Sequence, residues 1–234
     1  MNERGGFYRI LQVGPFYSLY QSAIGAKKMR EILVCKHIHP ERGQRILDLG
    51  CGMAEILHHL PDYCEYYGCD PNPNYIDMAK RRNAGKGIFW VAGFDTEGKL
   101  ELPKDLPDID IVICMNVIHH INDQQAAGLF EIASKVLVRN CKDNSRLVVS
   151  DNCLTEPQNW FARWLIKKDR GKFIRADKWY LSAFLSRFNT VKSCIRTDLF
   201  NIPYTFIILE GVLKPHSSLE SPIQEITLTK GNNS

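Results

Sequence analysis

Short apolar runs alternate with amphipathic stretches through the middle of the chain, and this alternation predicts the order of its secondary structure. Helices are predicted near 54–60, 74–82 and 123–138. In the last of these, the apolar residues recur on one helical face, at Leu129, Ile132, Ala133, Val136 and Leu137. Strands are predicted before and between the helices, at residues 46–49, 66–69, 88–92, 109–115 and 146–150. Strands and helices that alternate at this pitch predict parallel βαβ units in an open sheet.

The segments on either side of this region have different patterns. Residues 1–44 carry helical signals, with Met29, Ile32 and Leu33 spaced as one buried face. Residues 157–188 predict two helices joined by a basic segment, and two last strands are expected near 190–196 and 204–212. The prediction is therefore a single α/β domain over residues 1–213, with a doubly wound, mostly parallel, seven-stranded sheet. The polar tail 214–234 is expected to be mobile.

Composition and charge narrow the class of protein. The chain has 234 residues, a hydrophobic fraction of 44% and a net charge of +4. No apolar run reaches the roughly 18 residues of a membrane span, and the first residues lack the apolar core of a secretory signal. The eight cysteines form no CxxC pair, which favours reduced thiols. We therefore expect a cytoplasmic protein without a membrane partner, and the charge alone does not imply nucleic acid. The sequence does not indicate the oligomeric state.

The first predicted strand runs into a turn that contains two glycines, Asp48-Leu49-Gly50-Cys51-Gly52. In an open parallel sheet, ligands bind beyond the carboxyl ends of the strands, where the strand order reverses. Glu55 stands where a dinucleotide motif needs its third glycine, and a carboxylate at a helix start repels a pyrophosphate. No Lys-Ser/Thr pair follows, which excludes a P-loop. The turn therefore suits a ligand without phosphates at this point.

Acidic residues end the next two strands. Asp70 can accept both hydroxyls of a ribose, and Phe94 with Asp95 offers an aromatic face and an acceptor for an adenine amine. The same carboxylates suit a cationic nucleoside. Two plainer interpretations stay open: Asp70 caps the following helix, or residues 95–98 form only a surface turn.

This ordered series of motifs, from Asp48 to His120, resembles that of the class I S-adenosylmethionine-dependent methyltransferases over residues 30–152. The resemblance implies a Rossmann-like methyltransferase fold with S-adenosyl-L-methionine as cofactor. It places Asp48 and Gly50 at the methionine end, Asp70 at the ribose, and Asp95 with Phe94 at the adenine. The remaining predicted cofactor contacts are Cys51, Gly52, Pro71, Asn116 and Val117.

The resemblance also assigns roles to the flanking segments and meets two departures. The resemblance implies that residues 1–44 form an N-terminal helical lid in which Tyr20 contacts the cofactor; the alternative is that the aromatic residues there are ordinary core packing. It makes 45–152 the cofactor-binding core and 157–188 helices that cover the substrate. Ala54 replaces a third glycine common in the family, which is tolerable at a helix start. Before the fifth strand, residues 143–145 replace the Gly-Gly often found there.

Candidate acceptor-side residues follow the fourth and fifth strands. His119 and His120 can take a proton from an attacking hydroxyl or amine near neutral pH, or one of them can simply order the loop. From 163 to 178 there are seven basic residues and two acidic ones. Arg163, Arg170 and Arg175 are predicted to bind an anionic acceptor, and the alternative is a solvated helix face. The other histidines lack carboxylate or cysteine neighbours at ligand spacing, so no metal site is predicted.

Together these features predict methyl transfer from S-adenosylmethionine to an oxygen or nitrogen of a small molecule, with an acidic molecule favoured, in biosynthesis or secondary metabolism. A nucleic-acid partner is disfavoured because no separate RNA-binding module is visible. Two alternatives stay open: an RNA methyltransferase, and a non-catalytic binding protein that retains the fold.

Overall fold

A computed structural model of the protein describes residues 25–95, 97–140, 144–168, 171–188, 190–201, 204–213 and 227–230. The described helices are α1 (Ala26–Leu33), α2 (Pro73–Arg82), α3 (Asp123–Asn140), α4 (Trp160–Lys168) and α5 (Asp177–Leu185). The described strands are β1 (Arg45–Leu49), β2 (Glu65–Asp70), β3 (Ile88–Val91), β4 (Ile111–Met115), β5 (Arg146–Leu154), β6 (Arg175–Ala176), β7 (Thr190–Arg196), β8 (Phe206–Val212) and β9 (Thr227–Lys230). A π-helical turn (Val34–Ile38) extends α1, and two 3₁₀ helices span Glu55–His59 and Ile118–His120.

The strands form one sheet in the order β3-β2-β1-β4-β5-β8-β7-β9, with β6 beside the end of β5. Neighbours from β3 to β5 are parallel, whereas β8 is antiparallel to both β5 and β7. The strand order reverses between β1 and β4, and ligands bind beside such a point in open α/β sheets. The predicted doubly wound, mostly parallel sheet is confirmed, but it has nine strands among the described residues instead of the predicted seven.

Alternate residues of the central strands point to opposite faces of the sheet, and each face is covered by its own helices. On one face, Leu47 and Val112 pack with the apolar side of α3 and with α5. On the other, Ile46 and Ile111 pack with α1 and α2. Since both faces are buried, consecutive residues such as Ile46-Leu47 in β1 and Ile111-Val112 in β4 are apolar instead of alternating with polar residues.

The structure differs from the predicted boundaries in four places. The helix predicted at 54–60 is a short 3₁₀ helix, and β5 continues four residues past its predicted end. The basic segment contains the two-residue strand β6. In the tail, 227–230 pair in parallel with β7, a strand that the polar composition did not predict. Among the described residues, no helix is long and apolar enough to cross a membrane.

Candidate active site

A cleft of about 340 Å³ opens at the carboxyl ends of β1, β4 and β5. Asp48 and the glycine turn form one wall, and Asn116, His119 and Asn152 contribute from the ends of β4 and β5. The helix α1 and aromatic residues between β7 and β8 enclose the rest. The cleft therefore lies at the position where the strand order reverses.

The glycine turn has a backbone that side chains would obstruct. Gly50 and Gly52 have φ values of 84° and 54°, in the left-handed region. A Cβ on Gly50 would lie 2.4 Å from Cγ2 of Val117, whereas a Cβ on Gly52 would meet no described atom within 4 Å. Gly50 thus permits close packing within the protein, and Gly52 leaves open space at the cleft. The predicted contact residue Val117 supports the turn from behind.

Asp48 is a buried carboxylate with an unused acceptor. Its side chain accepts a hydrogen bond from the Tyr66 hydroxyl at Oδ2, 2.5 Å away. The buried Oδ1 has no hydrogen-bond partner among the described residues, and Asp48 lines the cleft. Burial raises the pKa of Asp48 to about 7; the hydrogen bond from Tyr66 opposes this rise and the charge of Asp70 adds to it. A buried acceptor without a partner costs free energy that a ligand N–H group or cation would recover.

Asp70 connects the glycine turn to the loop before α2. Its Oδ2 accepts from the backbone N–H of Gly52 at 3.0 Å, and its Oδ1 accepts from that of Asn72 at 2.8 Å. The side chain that caps α2 is Asn72, which accepts from the N–H of Asn74. The capping alternative for Asp70 is therefore wrong. Burial raises the pKa of Asp70, and the two backbone hydrogen bonds oppose that rise.

The predicted adenine contacts, Phe94 and Asp95, are not among the described residues that line the cleft. Asp95 is exposed, and its Oδ1 accepts from the N–H groups of Glu97 and Lys99 at 2.9 and 2.8 Å. Phe94 is half-buried against the core, and Pro71 packs over Gly93. One carboxylate oxygen of Asp95 thus stabilises a surface turn, and its contact with adenine stays a prediction. Tyr20 lies outside the described residues.

Two non-glycine residues near the cleft also have left-handed backbones. Ala54, which is buried, has a φ of 56°, and Asn116 has a φ of 58°. This conformation costs roughly 1–2 kcal/mol for a residue with a Cβ. The expectation that Ala54 is easily tolerated at a helix start therefore needs correction, because a glycine would be unstrained there. Cys51 and Asn116, both predicted contacts, line the cleft.

The two predicted catalytic histidines have different environments. His119 is buried and lines the cleft; its ring Nδ1 is hydrogen-bonded to Oδ1 of Asp151, and its backbone N–H donates to Oδ2 at 3.1 Å. Asp151 has no exposed surface. His120 is exposed, with its ring centroid 4.0 Å from that of His119, and it is not among the described residues that line the cleft. The geometry therefore favours His119 as the base.

Arg175 does not fit its predicted role in substrate binding. Its guanidinium is buried and donates to the carboxylate of Asp123 and to the carbonyl oxygens of Ile118 and Ile121, each at 2.8 Å. It also lies 4.2 Å from the ring centroid of Trp179. These contacts fix the loop that carries His119, so the prediction for Arg175 is replaced by a structural role. Arg163 is half-buried on α4 and does not line the described cleft, and Arg170 lies outside the described residues.

Sequence reasoning missed several residues of this site, among them two polar lining residues and the partner of His119. Arg30 and Tyr75 line the cleft from α1 and α2, and Asp151 orients His119. The only signal for Asp151 was its place directly after the predicted fifth strand, where parallel strand ends converge. Arg30 follows the buried Met29 in the predicted helix, so it lay at the edge of an apolar face.

Comparison with known proteins finds similarity to methyltransferases. Residues 46–140 match a family described as a methyltransferase domain. An uncharacterized methyltransferase of Schizosaccharomyces pombe is 30% identical over 117 residues, covering 47% of this chain and 39% of that protein. Phosphoethanolamine N-methyltransferase of Plasmodium falciparum is 25% identical over 145 residues, covering 60% of this chain and 50% of that protein. The chain thus spans half or less of the length of these two relatives.

A solved structure shows the same fold over most of the chain. Phosphoethanolamine N-methyltransferase 2 of Haemonchus contortus, in complex with phosphomonomethylethanolamine and S-adenosylhomocysteine, superposes with a TM-score of 0.64 at 14% identity. The match covers 92% of this chain and 61% of that one. Fold and matched domain together define an α/β protein of the methyltransferase type. The chain therefore has the fold of the class I S-adenosylmethionine-dependent methyltransferases, and its residues 46–140 are similar to a methyltransferase domain, as the motif series predicted.

Proposed function

We propose that this chain transfers the methyl group of S-adenosylmethionine to an oxygen or nitrogen atom of a small molecule. The observation that carries the proposal is one cleft that holds both the unpartnered Oδ1 of buried Asp48 and the His119–Asp151 pair. The first group suits the cationic cofactor, and the second suits an acceptor that must lose a proton. A scaffold that only retained the fold has no use for this pairing.

The residues at the glycine turn are suited to binding S-adenosylmethionine, in agreement with the sequence-based prediction. Asp48 Oδ1 would accept a hydrogen bond from the amino group of S-adenosylmethionine, and Asp70 would accept hydrogen bonds from its ribose hydroxyls. The open space at Gly52 would admit the part of the cofactor between these two groups. Asp70 already orders the Gly52 N–H, so ribose binding and turn geometry are connected. When bound, S-adenosylmethionine supplies a methyl group activated by its sulfonium.

On the acceptor side, His119 would remove the proton. A carboxylate can only accept a hydrogen bond, so Asp151 holds the proton on Nδ1 and leaves the lone pair on Nε2. The imidazole can then take a proton from the hydroxyl or amine of the acceptor while that group attacks the methyl group. Alignment in a cleft that excludes water contributes more than the base, roughly 7–11 kcal/mol in favourable cases.

Arg30 is the residue we propose for an anionic group of the acceptor, in place of the arginines first predicted. It is the one arginine among the described residues that line the cleft. A guanidinium binds carboxylate or phosphate in a bidentate manner. The phosphoethanolamine methyltransferase relatives support an acceptor that combines a nucleophile with an anionic group. We also retain residues 1–213 as one domain within this proposal.

The first test is binding and transfer with the purified protein. Calorimetry is expected to show micromolar or tighter binding of S-adenosylmethionine and S-adenosylhomocysteine and much weaker binding of NAD, because Glu55 opposes a pyrophosphate. Labelled S-adenosylmethionine with a metabolite extract then identifies the acceptor. Folded protein that gives no heat with either sulfur compound contradicts the proposal, and label found in RNA instead of small molecules favours the RNA alternative.

A matched pair of arginine variants separates substrate binding from structure. Arg30→Gln is expected to raise KM for the acceptor about 10- to 100-fold, since charge-assisted hydrogen bonds contribute roughly 1.5–3 kcal/mol. Arg175→Gln is expected to lower the melting temperature, because it leaves buried carbonyl oxygens without donors. If Arg30→Gln instead weakens cofactor binding and leaves KM for the acceptor unchanged, Arg30 binds the carboxylate of S-adenosylmethionine. In that case the acceptor need not be anionic.

A further inference from the structure

Exposed aromatic side chains are concentrated on α4 and directly after it. Trp160 is 77% exposed, Trp164 50%, Phe161 41% and Phe173 39%. The rings of Phe161 and Trp164 are stacked with centroids 5.9 Å apart, and Trp160 meets Phe161 edge-on at 5.8 Å. The three rings on α4 therefore form a continuous apolar surface, which we call the aromatic face.

The opposite side of α4 is anchored to the protein. Ala162 and Ile166 are buried, at 2% and 0% exposure, and α4 packs on β5. Burial of the aromatic face is therefore not needed to hold the helix in place. Large contiguous apolar surfaces that remain exposed generally mark a site of interaction.

The sequence in and after α4 is basic. Lys172 and Lys178 are exposed, and Arg163 is half-buried within α4. From 163 to 178 the sequence carries seven basic residues against two acidic ones. Arg175 is buried and contributes to the fold instead. The surface thus combines tryptophan and phenylalanine with positive charge, and its natural counterpart is apolar and negatively charged.

We propose that the aromatic face of α4, with Phe173 and the exposed Lys172 and Lys178, docks on the surface of an anionic lipid bilayer. Indole rings favour the boundary between headgroups and acyl chains, and basic residues are attracted to anionic headgroups. The rings contact each other along one helix, so they form one continuous hydrophobic surface. Single-stranded RNA would need separated rings along a groove, on which successive bases stack.

This inference differs from the expectation that the protein has no membrane partner. That expectation rested on the lack of an apolar run long enough to span a bilayer, and docking on a surface requires no such run. The surface also lies close to the proposed base. Gly171 packs on the His119 ring, and the N–H of Phe173 donates to the His119 carbonyl oxygen at 3.0 Å.

The test is cosedimentation with vesicles, without cofactor or acceptor, so its result does not depend on the proposed methyl transfer. The protein is expected to bind vesicles of phosphatidylcholine with phosphatidylserine, and more weakly those of phosphatidylcholine alone. Binding should fall as salt is raised, because the electrostatic part is screened. The double variant Trp160→Ser/Trp164→Ser is expected to bind at least about tenfold more weakly, since it removes most of the inserted apolar surface.

The control is Val138→Ser, which removes a side chain that is 48% exposed on α3, far along the chain from the aromatic face. It should bind vesicles as the wild type does, and both variants should melt as the wild type does. Equal vesicle binding by the double variant, or no binding by the wild type, overturns the proposal. If the wild type does not bind vesicles and the double variant loses a dimer that the wild type forms, the aromatic face is a protein interface instead. If the double variant instead loses binding of single-stranded RNA, the face is an RNA-binding surface.

Discussion

His119→Ala is expected to lower kcat by about 10²- to 10⁴-fold while the dissociation constant of S-adenosylmethionine stays near its wild-type value. The imidazole lines the cleft and is hydrogen-bonded to Asp151, whereas we propose that the glycine turn holds the cofactor. The experiment compares single-turnover rates with the identified acceptor and measures cofactor binding by calorimetry in parallel.

His120→Ala is the matched control, because it removes the same ring from the next position. His120 is exposed and lies outside the described lining of the cleft, so this variant should retain its rate within a few-fold. Equal rates in both variants would falsify the role of His119 as base and leave alignment as the source of catalysis. A lower rate in His120→Ala alone would mean that His120 is the base and that His119 is not.

Asp151→Asn tests the positioning of the base. It keeps the size of the side chain but removes the charge that favours a protonated imidazole. The rate should fall, and the acidic limb of the pH–rate profile should move to lower pH because the protonated ring loses its stabilising carboxylate. A merely structural role for Asp151 would lower the melting temperature and leave the shape of that profile unchanged.

The parts of this site that the sequence predicted share one physical origin. In parallel βαβ units, every carboxyl strand end meets the same edge of the sheet, so Asp48, Asp70 and His119 converge although they lie far apart in the chain. Glycine positions are similarly informative, since the left-handed backbone at Gly50 and its contact with Val117 tolerate no side chain. Spacing and residue type are sufficient for such features.

The wrong or missing predictions concern residues whose interaction partners cannot be identified from residue type or spacing. The acceptors of Arg175 include two backbone carbonyl oxygens more than 50 positions earlier, and any residue type carries such an oxygen. A run of basic residues therefore predicts charge but does not show which guanidinium is buried. Likewise, the strand at 227–230 depends on a free edge of β7, which is set by tertiary structure and not by the composition of the tail.

The second large effect expected is a dependence of cofactor affinity on pH that is set by Asp48. Burial raises its pKa to about 7, so the carboxyl is mostly neutral at pH 6 and mostly charged at pH 8. Only the charged form attracts a cationic cofactor. Affinity for S-adenosylmethionine should therefore fall by up to about tenfold for each pH unit below 7. Calorimetry between about pH 6 and 8, the range in which a carboxyl with this pKa titrates, measures the slope.

Asp48→Asn should flatten this profile, with an affinity at pH 7.5 about 10- to 100-fold below that of the wild type, because a charge-assisted hydrogen bond is lost. The protein without cofactor should show the opposite trend. A folded-state pKa above the ordinary value of 3.8 gives a contribution to stability that is complete below about pH 4 and is lost as pH rises through 7. The wild type should then become less stable over the range in which it binds more tightly, and Asp48→Asn should remove both trends. A wild-type affinity that does not change across this range would mean that Asp48 is already ionised or does not face the cofactor.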